Sequence, residues 1–229
     1  MTALRFWIRC DFDRPIVEAI LLGDEYGLLP WQATGGPVET IVDVGAHVGA
    51  FTCRAKQLWP AARVIAVEPA PDAWPHFRLN TSYQCDIALC TQAVVRRGGP
   101  KWVHLADMPD GNPAARFVPE LFDGQRAQAD GGQALCIPAT DMVSLLEAFA
   151  VERVDILKLD CEGAELAILE DLSATNRLKD VGYICGEWHR KMLIPGIRHA
   201  LAATHEVEMH VGYFENGLFL ARPRAWPFG

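Results

Sequence analysis

Carboxylates at the ends of two apolar runs are the residues of this chain best suited to chemistry. The first run ends in Asp43, and the second, far along the chain, ends in Asp160. Parallel strands share one carboxyl edge, where open α/β sheets bind their ligands. Since packing alone needs no charge at a strand end, we expect the two segments to form one active-site rim.

A glycine loop follows the first of these runs. Residues 43–49 read Asp-Val-Gly-Ala-His-Val-Gly. Gly45 allows a tight turn, and Gly49 lets the next helix begin close to a ligand. Dinucleotide sites use GxGxxG to guide the backbone around a pyrophosphate, a pattern this loop lacks. Asp43 instead suits a cofactor with an ammonium or sulfonium group, and S-adenosylmethionine carries both.

Glu68 follows the next apolar run and predicts a nucleoside site. A carboxylate at that strand end can accept hydrogen bonds from both hydroxyls of a ribose. Nicotinamide and S-adenosylmethionine proteins both use this arrangement, so Glu68 does not choose between them.

Asp160, Glu187 and His189 are the candidate catalytic residues. Glu187 and His189 flank Trp188 at the end of a later apolar run. Strand alternation would place both side chains on one side, beside Asp160. We take His189 as the general base, because an unperturbed imidazole is available in neutral form near pH 7. Glu187 or Asp160 would orient it or hold the acceptor.

Three residues within five positions after Asp160 are not assigned to catalysis. Glu162 is expected to point into the cleft or to cap the next helix, and Glu165 fits helix capping better than catalysis. Cys161 is a poor nucleophile, because flanking carboxylates raise the pKa of a thiol.

A metal-assisted mechanism is an open alternative. Asp160, Glu162, Glu187 and His189 could ligate Mg²⁺ or Mn²⁺, which would acidify a bound hydroxyl. Their spacing is not a recognised metal motif, so we assign no metal from the sequence.

Composition indicates an ordinary globular protein. Of 229 residues, 50% are hydrophobic and 22% are charged, and the net charge is −8. The acidic balance argues against a nucleic-acid partner. With no apolar run of about 20 residues and no secretion signal, we expect no membrane association and a cytoplasmic location. The seven cysteines have no CxxC spacing and indicate reduced thiols.

Alternating strands and helices predict an α/β fold. We expect strands at 39–44, 63–67, 87–95, 154–160 and 181–187, with helices at 50–59, 72–82, 142–150 and 164–173. Asn216-Gly217 predicts a hairpin between strands at 206–214 and 218–222. The pattern indicates a mostly parallel sheet with helices on both faces and a C-terminal antiparallel hairpin.

Two regions lie outside this alternation. Residues 1–37 form a helical extension, with a helix at 13–27 that Asp13 would cap and a linker at 28–37 before the main domain at 38–229. Residues 104–138, rich in Gly and Pro, predict an irregular insertion, which we interpret as a lid rather than plain disorder. Phe117, Leu121 and Phe122 could pack there onto a substrate.

These motifs together resemble the FkbM family of S-adenosylmethionine-dependent methyltransferases. The resemblance runs from about residue 9 to 190; its most specific part is 154–165, supported by 42–52, 64–69 and 92–94. It implies a seven-stranded Rossmann-like fold and methyl transfer to a hydroxyl of a sugar, polyketide or related natural product. It also implies cofactor contacts around the methionine and ribose (Asp43, Gly45, Gly49), at the ribose hydroxyls (Glu68) and near the adenine (Gln92, Ala93). We further expect His47, Thr52 and Asp160 to contact the cofactor, His47 because it lies in the glycine loop. His47 departs from the Asn usual in the family.

The resulting hypothesis is in-line displacement, in which the acceptor hydroxyl attacks the methyl carbon while a side chain removes its proton. The alternatives are a nicotinamide-dependent oxidoreductase and a non-catalytic module that binds S-adenosylmethionine. The missing GxGxxG weighs against the first, and the acids at the strand ends weigh against the second.

Overall fold

The computed structural model describes residues 5–107, 116–117, 135–212 and 216–225. In chain order, the strands there are β1 (Thr40–Val44), β2 (Arg63–Val67), β3 (Ile87–Cys90), β4 (Ala93–Val94), β5 (Trp102–Asp107), β6 (Arg116–Phe117), β7 (Leu135–Thr140), β8 (Val154–Leu159), β9 (Val181–Trp188), β10 (His205–Val211) and β11 (Gly217–Pro223). The α-helices are α1 (Asp13–Gly23), α2 (Leu28–Thr34), α3 (Ala50–Leu58), α4 (Trp74–Thr81), α5 (Met142–Ala148), α6 (Glu165–Ala174) and α7 (Ile194–Leu201). None of the helices in this part of the chain is long and apolar enough to cross a bilayer.

The main sheet has seven strands in the order β10-β11-β9-β8-β1-β2-β3. Neighbours from β3 to β9 are parallel, while β11 runs antiparallel to both β9 and β10. This confirms the predicted seven-stranded, mostly parallel sheet with a C-terminal antiparallel hairpin. The strand order reverses between β1 and β8, which makes that edge the switch point where open α/β sheets bind ligands.

Alternating residues of the central strands pack into two separate hydrophobic cores. Ile41, Ile156 and Tyr183 pack with α1, α2 and α3 on one face, whereas Val42, Leu157 and Ile184 pack with α5, α6 and α7 on the other. Burial of each such side chain contributes roughly 1.5–3 kcal/mol, so strands that are apolar on both faces stay fixed between two helical layers. The prediction of helices on both faces is confirmed.

The N-terminal region folds differently from the prediction. Residues 28–37, expected to be a linker, contain helix α2. Asp24 ends α1 in the left-handed conformation, and its carboxylate accepts hydrogen bonds from the backbone of Leu28 and Leu29. Pro30 is tolerated in the first turn of a helix, and Trp31 is buried, so capping and packing together form a helix that the Pro and Gly content concealed.

Asp13 does not cap α1, contrary to expectation. The N-cap position is Phe12, and Asp13 is the first helical residue. Its buried carboxylate instead accepts the backbone N–H of Arg9 at 2.7 Å and pairs with the Arg9 guanidinium at 3.0 Å. Asp13 therefore anchors the chain that precedes the helix.

A second sheet accounts for part of the region expected to be irregular. Its order is β4-β7-β5-β6, with β5 antiparallel to β7. The predicted strand at 87–95 divides between the two sheets, since β3 pairs with β2 while β4 pairs with β7. Most of the predicted lid, including Leu121 and Phe122, lies outside the described residues, and only the backbone of Phe117 is described, in β6.

Candidate active site

A buried lysine joins the two acidic segments. Lys158 in β8 is 2% exposed, and its Nζ lies 3.3 Å from Asp43 Oδ1 and 3.5 Å from Asp160 Oδ2. Nζ also donates a hydrogen bond of 2.5 Å to the carbonyl of Gly45. Burial lowers the pKa of Lys158, but the two carboxylates outweigh it and raise the pKa above its ordinary value. Lys158 is therefore an ammonium that holds both strand ends together.

Asp43 is fully buried and has its charge balanced inside the protein. Besides Lys158, Thr52 of α3 donates a hydrogen bond of 2.7 Å from Oγ1 to Asp43 Oδ2. The sequence predicts a cationic group of a cofactor as the partner of this carboxylate. In the structure Lys158 supplies the cation, and Asp43 fixes the glycine loop to β1 and α3.

Gly45 brings the loop against the end of β8. Its φ is +80°, and a Cβ there would lie 1.6 Å from the backbone oxygen of Asp160. Only glycine fits this position, so the predicted tight turn is confirmed. Gly49, with φ +90°, precedes the first residue of α3, as expected.

Glu68 lies at the end of β2 with its carboxylate held by the backbone. Oε2 accepts from His47 N at 2.7 Å and Oε1 from Ala70 N at 2.8 Å. A carboxylate offers about four acceptor positions, so about two remain for other donors. Burial raises the pKa of Glu68, although both hydrogen bonds and the nearby His47 oppose the rise. This arrangement fits the two hydroxyls of a ribose.

His47 joins the glycine loop to the N-terminal region. Its φ of 52° lies in the left-handed region, where Asn and His are both enriched, so the departure from Asn keeps the backbone geometry. Its Nε2 lies 3.3 Å from Asp13 Oδ1 and contacts the guanidinium of Arg9. Arg9 also pairs with Asp72 at 3.0 Å. Sequence reasoning missed Arg9 and Asp13, whose contacts here are with residues distant in the chain.

Tyr26 is a second N-terminal residue that reaches the site. Its phenol is buried and donates a hydrogen bond of 2.9 Å to Asp160 Oδ2. Its carbonyl accepts a hydrogen bond of 2.8 Å from the hydroxyl of Tyr183. Burial, followed by the charges of nearby acids, raises the pKa of Tyr26 well above its ordinary value, so the phenol stays a donor.

The candidate catalytic residues meet at the ends of β8 and β9. His189 Nε2 lies 3.7 Å from Asp160 Oδ1, 3.6 Å from Glu187 Oε2 and 3.4 Å from Glu162 Oε2. Trp188 is the last residue of β9 and packs into the core formed with α5, α6 and α7, so His189 lies beyond the strand and the predicted alternation stays untested at that residue. The three candidates and Glu162 therefore form one cluster, which we call the acidic-histidine cluster.

Glu165 contacts this cluster from the start of α6. Its fully buried carboxylate accepts hydrogen bonds from the backbone of Cys161 at 3.0 Å and Gly163 at 3.1 Å, as the capping interpretation expects. Glu165 Oε1 also accepts from His189 Nδ1 at 2.9 Å, so the residue fixes the imidazole as well. Burial and the neighbouring carboxylates raise the pKa of Cys161 well above its ordinary value, which disfavours a nucleophilic thiolate.

The protonation of the cluster differs from the sequence-based premise. Burial lowers the pKa of His189, but Glu165, Glu162 and Asp160 outweigh it and raise the pKa well above its ordinary value. The charge of Asp160, followed by burial, raises the pKa of Glu187 to about 8. The raised pKa of His189 favours the protonated imidazole in the protein alone, which argues against the premise of a neutral base there.

Gln92 and Ala93 lie where the chain passes from the main sheet to the second sheet. Gln92 follows β3, and the buried Ala93 begins β4. This position is at the same carboxyl edge as Glu68, since β2 and β3 are parallel neighbours.

A sequence model described as the methyltransferase FkbM domain matches residues 43–203. The chain belongs to the FkbM methyltransferase family. This confirms the resemblance read from the glycine loop and from residues 154–165.

Two curated relatives share this region. Methyltransferase 1 of Beauveria bassiana (strain ARSEF 2860) is 26% identical over 153 residues, which cover 58% of this chain and 57% of that protein. Methyltransferase sdnD of Sordaria araneosa is 28% identical over 155 residues, which cover 57% of this chain and 59% of that protein. The matches thus span less than two thirds of either relative.

Solved structures share the fold at low identity. Magnesium protoporphyrin IX methyltransferase from Synechocystis PCC 6803, with bound S-adenosylmethionine, gives a TM-score of 0.50 at 10% identity, over 96% of this chain and 88% of that chain. A candidate rRNA methylase from Clostridium thermocellum gives a TM-score of 0.52 at 9% identity, over 90% of this chain and 96% of that chain. Both confirm the Rossmann-like methyltransferase fold.

Proposed function

We propose that this chain is an S-adenosylmethionine-dependent methyltransferase that methylates a hydroxyl of a small natural product such as a sugar or polyketide. Family membership supports the reaction and its methyl donor. The observation that carries the proposal is the contact between the glycine loop and the end of β8, at Gly45 and Asp160. This contact supports a nucleoside site beside the acidic-histidine cluster, as methyl transfer between two bound molecules requires.

The donor side is formed by the loop and the ends of β2 and β3. Glu68 has acceptor positions for two ribose hydroxyls, and the glycines at 45 and 49 let the backbone approach the methionine part. Thr52 and Asp43 fix the loop, while Gln92 and Ala93 lie along the same edge for the adenine. S-adenosylmethionine, when bound, supplies an electrophilic methyl group on a sulfonium.

The acceptor side is the acidic-histidine cluster. Asp160, Glu187 and His189 hold the acceptor hydroxyl near the donor loop, and a carboxylate of the cluster takes up its proton as the new bond to carbon forms. Orientation of the two reactants provides most of the acceleration. Transfer of the proton to a positioned group contributes about 10²- to 10⁴-fold more.

The decisive experiment uses S-adenosylmethionine labelled in its methyl group. The purified protein is incubated with small-molecule extracts, and labelled products are identified by mass spectrometry and NMR. We expect label on an oxygen atom, and loss of labelling in Asp160→Asn. Glu206→Gln is the control, because this side chain is 74% exposed and lies at the edge strand β10.

Other results would overturn parts of the proposal. Label on nitrogen or carbon excludes O-methylation, and no labelled product from any extract favours a non-catalytic binding module. Calorimetry with S-adenosylhomocysteine and with NAD separates a methyltransferase from a nicotinamide-dependent oxidoreductase. Binding of NAD alone would exclude the proposed donor.

A further inference from the structure

The donor atoms in the acidic-histidine cluster have the spacing of ligands around one ion. Nε2 of His189 lies 3.4–3.7 Å from oxygens of Glu162, Glu187 and Asp160. These distances exceed the 2.7–3.2 Å typical of a hydrogen bond from nitrogen to oxygen. Ligands bound at about 2.0–2.2 Å from a common ion, at angles of about 90–120° to one another, lie roughly 2.8–3.8 Å apart. The spacing therefore fits a shared cation better than direct hydrogen bonds.

The ring of His189 is held as a metal ligand is held. In metal sites the ligating histidine donates its other ring N–H to a carboxylate, which fixes the ring and its tautomer. Nδ1 of His189 lies 2.9 Å from Oε1 of Glu165. Glu165 is fully buried and is fixed by the backbone of Cys161 and Gly163. Nε2 is consequently directed at the carboxylates.

Asp160 is supported in the same way. Its Oδ2 accepts the hydrogen bond from Tyr26 and lies 3.5 Å from Lys158, whereas its Oδ1 faces His189. One oxygen is thus used to fix the side chain and the other is directed into the cluster. Ligand atoms of Asp160, Glu187 and His189 all lie within 4.8 Å of one another.

We propose that Asp160, Glu187 and His189 bind a divalent cation. Two carboxylate oxygens and one imidazole nitrogen match the ligand preferences of Mn²⁺, with Mg²⁺ as a weaker competitor. Side-chain exposures of 12–24% leave the site reachable from solvent.

The role of the cation rests on the proposed function. It would bind the acceptor oxygen and acidify the hydroxyl. The O–H bond then breaks and its proton passes to the neighbouring carboxylate of Glu162, while the oxygen forms its bond to the methyl carbon and the carbon–sulfur bond of the donor breaks.

The test measures binding without donor or acceptor. Full-length protein is treated with a chelator, dialysed and titrated with Mn²⁺, with free Mn²⁺ followed by electron paramagnetic resonance. We expect one site per chain. Glu187→Gln and His189→Ala should each weaken binding at least 10-fold, and His189→Ala should remove the nitrogen coupling seen in pulsed spectra of bound Mn²⁺.

Glu165→Gln tests the support of the histidine ring. We expect Mn²⁺ affinity to fall by about 10- to 100-fold, the range found for residues that orient metal ligands. Glu208→Gln is the matched control. Glu208 and His210 form another acid–histidine pair, with side chains 58% and 54% exposed, and binding should not change.

The outcomes separate this proposal from the proposed function. No bound Mn²⁺, or binding that Glu187→Gln and His189→Ala both leave intact, overturns the metal site while methyl transfer remains testable. Methyl transfer that persists at full rate in chelator overturns the catalytic role of the cation. Mn²⁺ binding with no methyl transfer to any acceptor overturns the proposed function alone.

Discussion

At the scale of single residues, Lys158 connects the two strand ends. It lies between Asp43 and Asp160 and also binds the carbonyl of Gly45, so one ammonium fixes both the glycine loop and the end of β8. Two buried or half-buried carboxylates without a counter-ion would be strongly destabilising. The side chain thus has a structural role at a place that we propose to be catalytic.

Lys158→Met should therefore destabilise the fold. Removal of one partner of a buried ion pair leaves the others uncompensated, and we expect a loss of about 3–5 kcal/mol in the free energy of unfolding, measured by urea denaturation. Lys179→Met, at an exposed position, should change stability by less than about 0.5 kcal/mol. Equal effects of the two substitutions would contradict the role of Lys158.

Tyr26→Phe tests the hydrogen bond to Asp160. A hydrogen bond to a charged group contributes about 1.5–3 kcal/mol, so kcat should fall by about 10- to 100-fold if Asp160 acts in the reaction. The KM for S-adenosylmethionine should change little, because Tyr26 contacts Asp160, on the side that we propose for the acceptor. Tyr83→Phe, at a tyrosine that is 65% exposed, is the control. A change in KM alone would mean that Tyr26 serves the donor site.

At the scale of elements, the start of α1 binds the glycine loop through Asp13. Burial raises the pKa of this carboxyl, but hydrogen bonds with His47 and Arg9 outweigh it and hold the pKa well below its ordinary value near 3.8. A depressed pKa in the folded state means that the contribution to stability is fully present above about pH 4 and is lost as the pH falls further.

Asp13→Asn should remove this contribution. We expect a loss of about 3 kcal/mol in the free energy of unfolding between about pH 5 and pH 8, and a difference from the native protein that shrinks below about pH 4. Asp11→Asn is the control, since its side chain is 96% exposed and its pair with Arg14 at 3.7 Å is a surface contact. A difference that does not depend on pH would exclude the ionised pair as its origin.

The elements also show what a single sequence can predict. The central strands were predictable because β2, β8 and β9 are apolar on both faces, and the hairpin because Asn216-Gly217 favours a tight turn. Helix α2 was not predictable, because the side chain that caps it, Asp24, belongs to the end of α1. The second sheet joins β4 to β7, a pairing that local patterns do not encode.

The same limit applies to the site. Asp160, Glu187 and His189 were predictable as neighbours because β8 and β9 are parallel and end at the same carboxyl edge. Contacts from the N-terminal region were not, because Tyr26 and Arg9 reach the site through tertiary packing. The raised pKa of His189 depends on Glu165, for which the sequence favours helix capping over catalysis.

At the scale of the whole molecule, the proposed donor site should couple binding to stability. A ligand that binds only the folded state at 100 times its Kd stabilises by about 2.7 kcal/mol. We expect S-adenosylhomocysteine to raise the melting temperature in a concentration-dependent way and NAD to have no effect. Glu68→Gln should require at least 10-fold more ligand for the same shift, while Glu206→Gln behaves as the native protein. Equal shifts in both variants would remove Glu68 from the donor site.

The contact of Gly45 with the main-chain oxygen of Asp160 has a consequence for recombination between family members. No side chain takes part in this contact, so the contact itself does not depend on which parent supplies residue 160. Chimeras that join the loop of one parent to the later strands of another should keep the spacing between the two sites, provided that position 45 remains glycine and that the Asp43–Lys158 pair is retained. Acceptor preference could then be exchanged as a module without rebuilding the donor half.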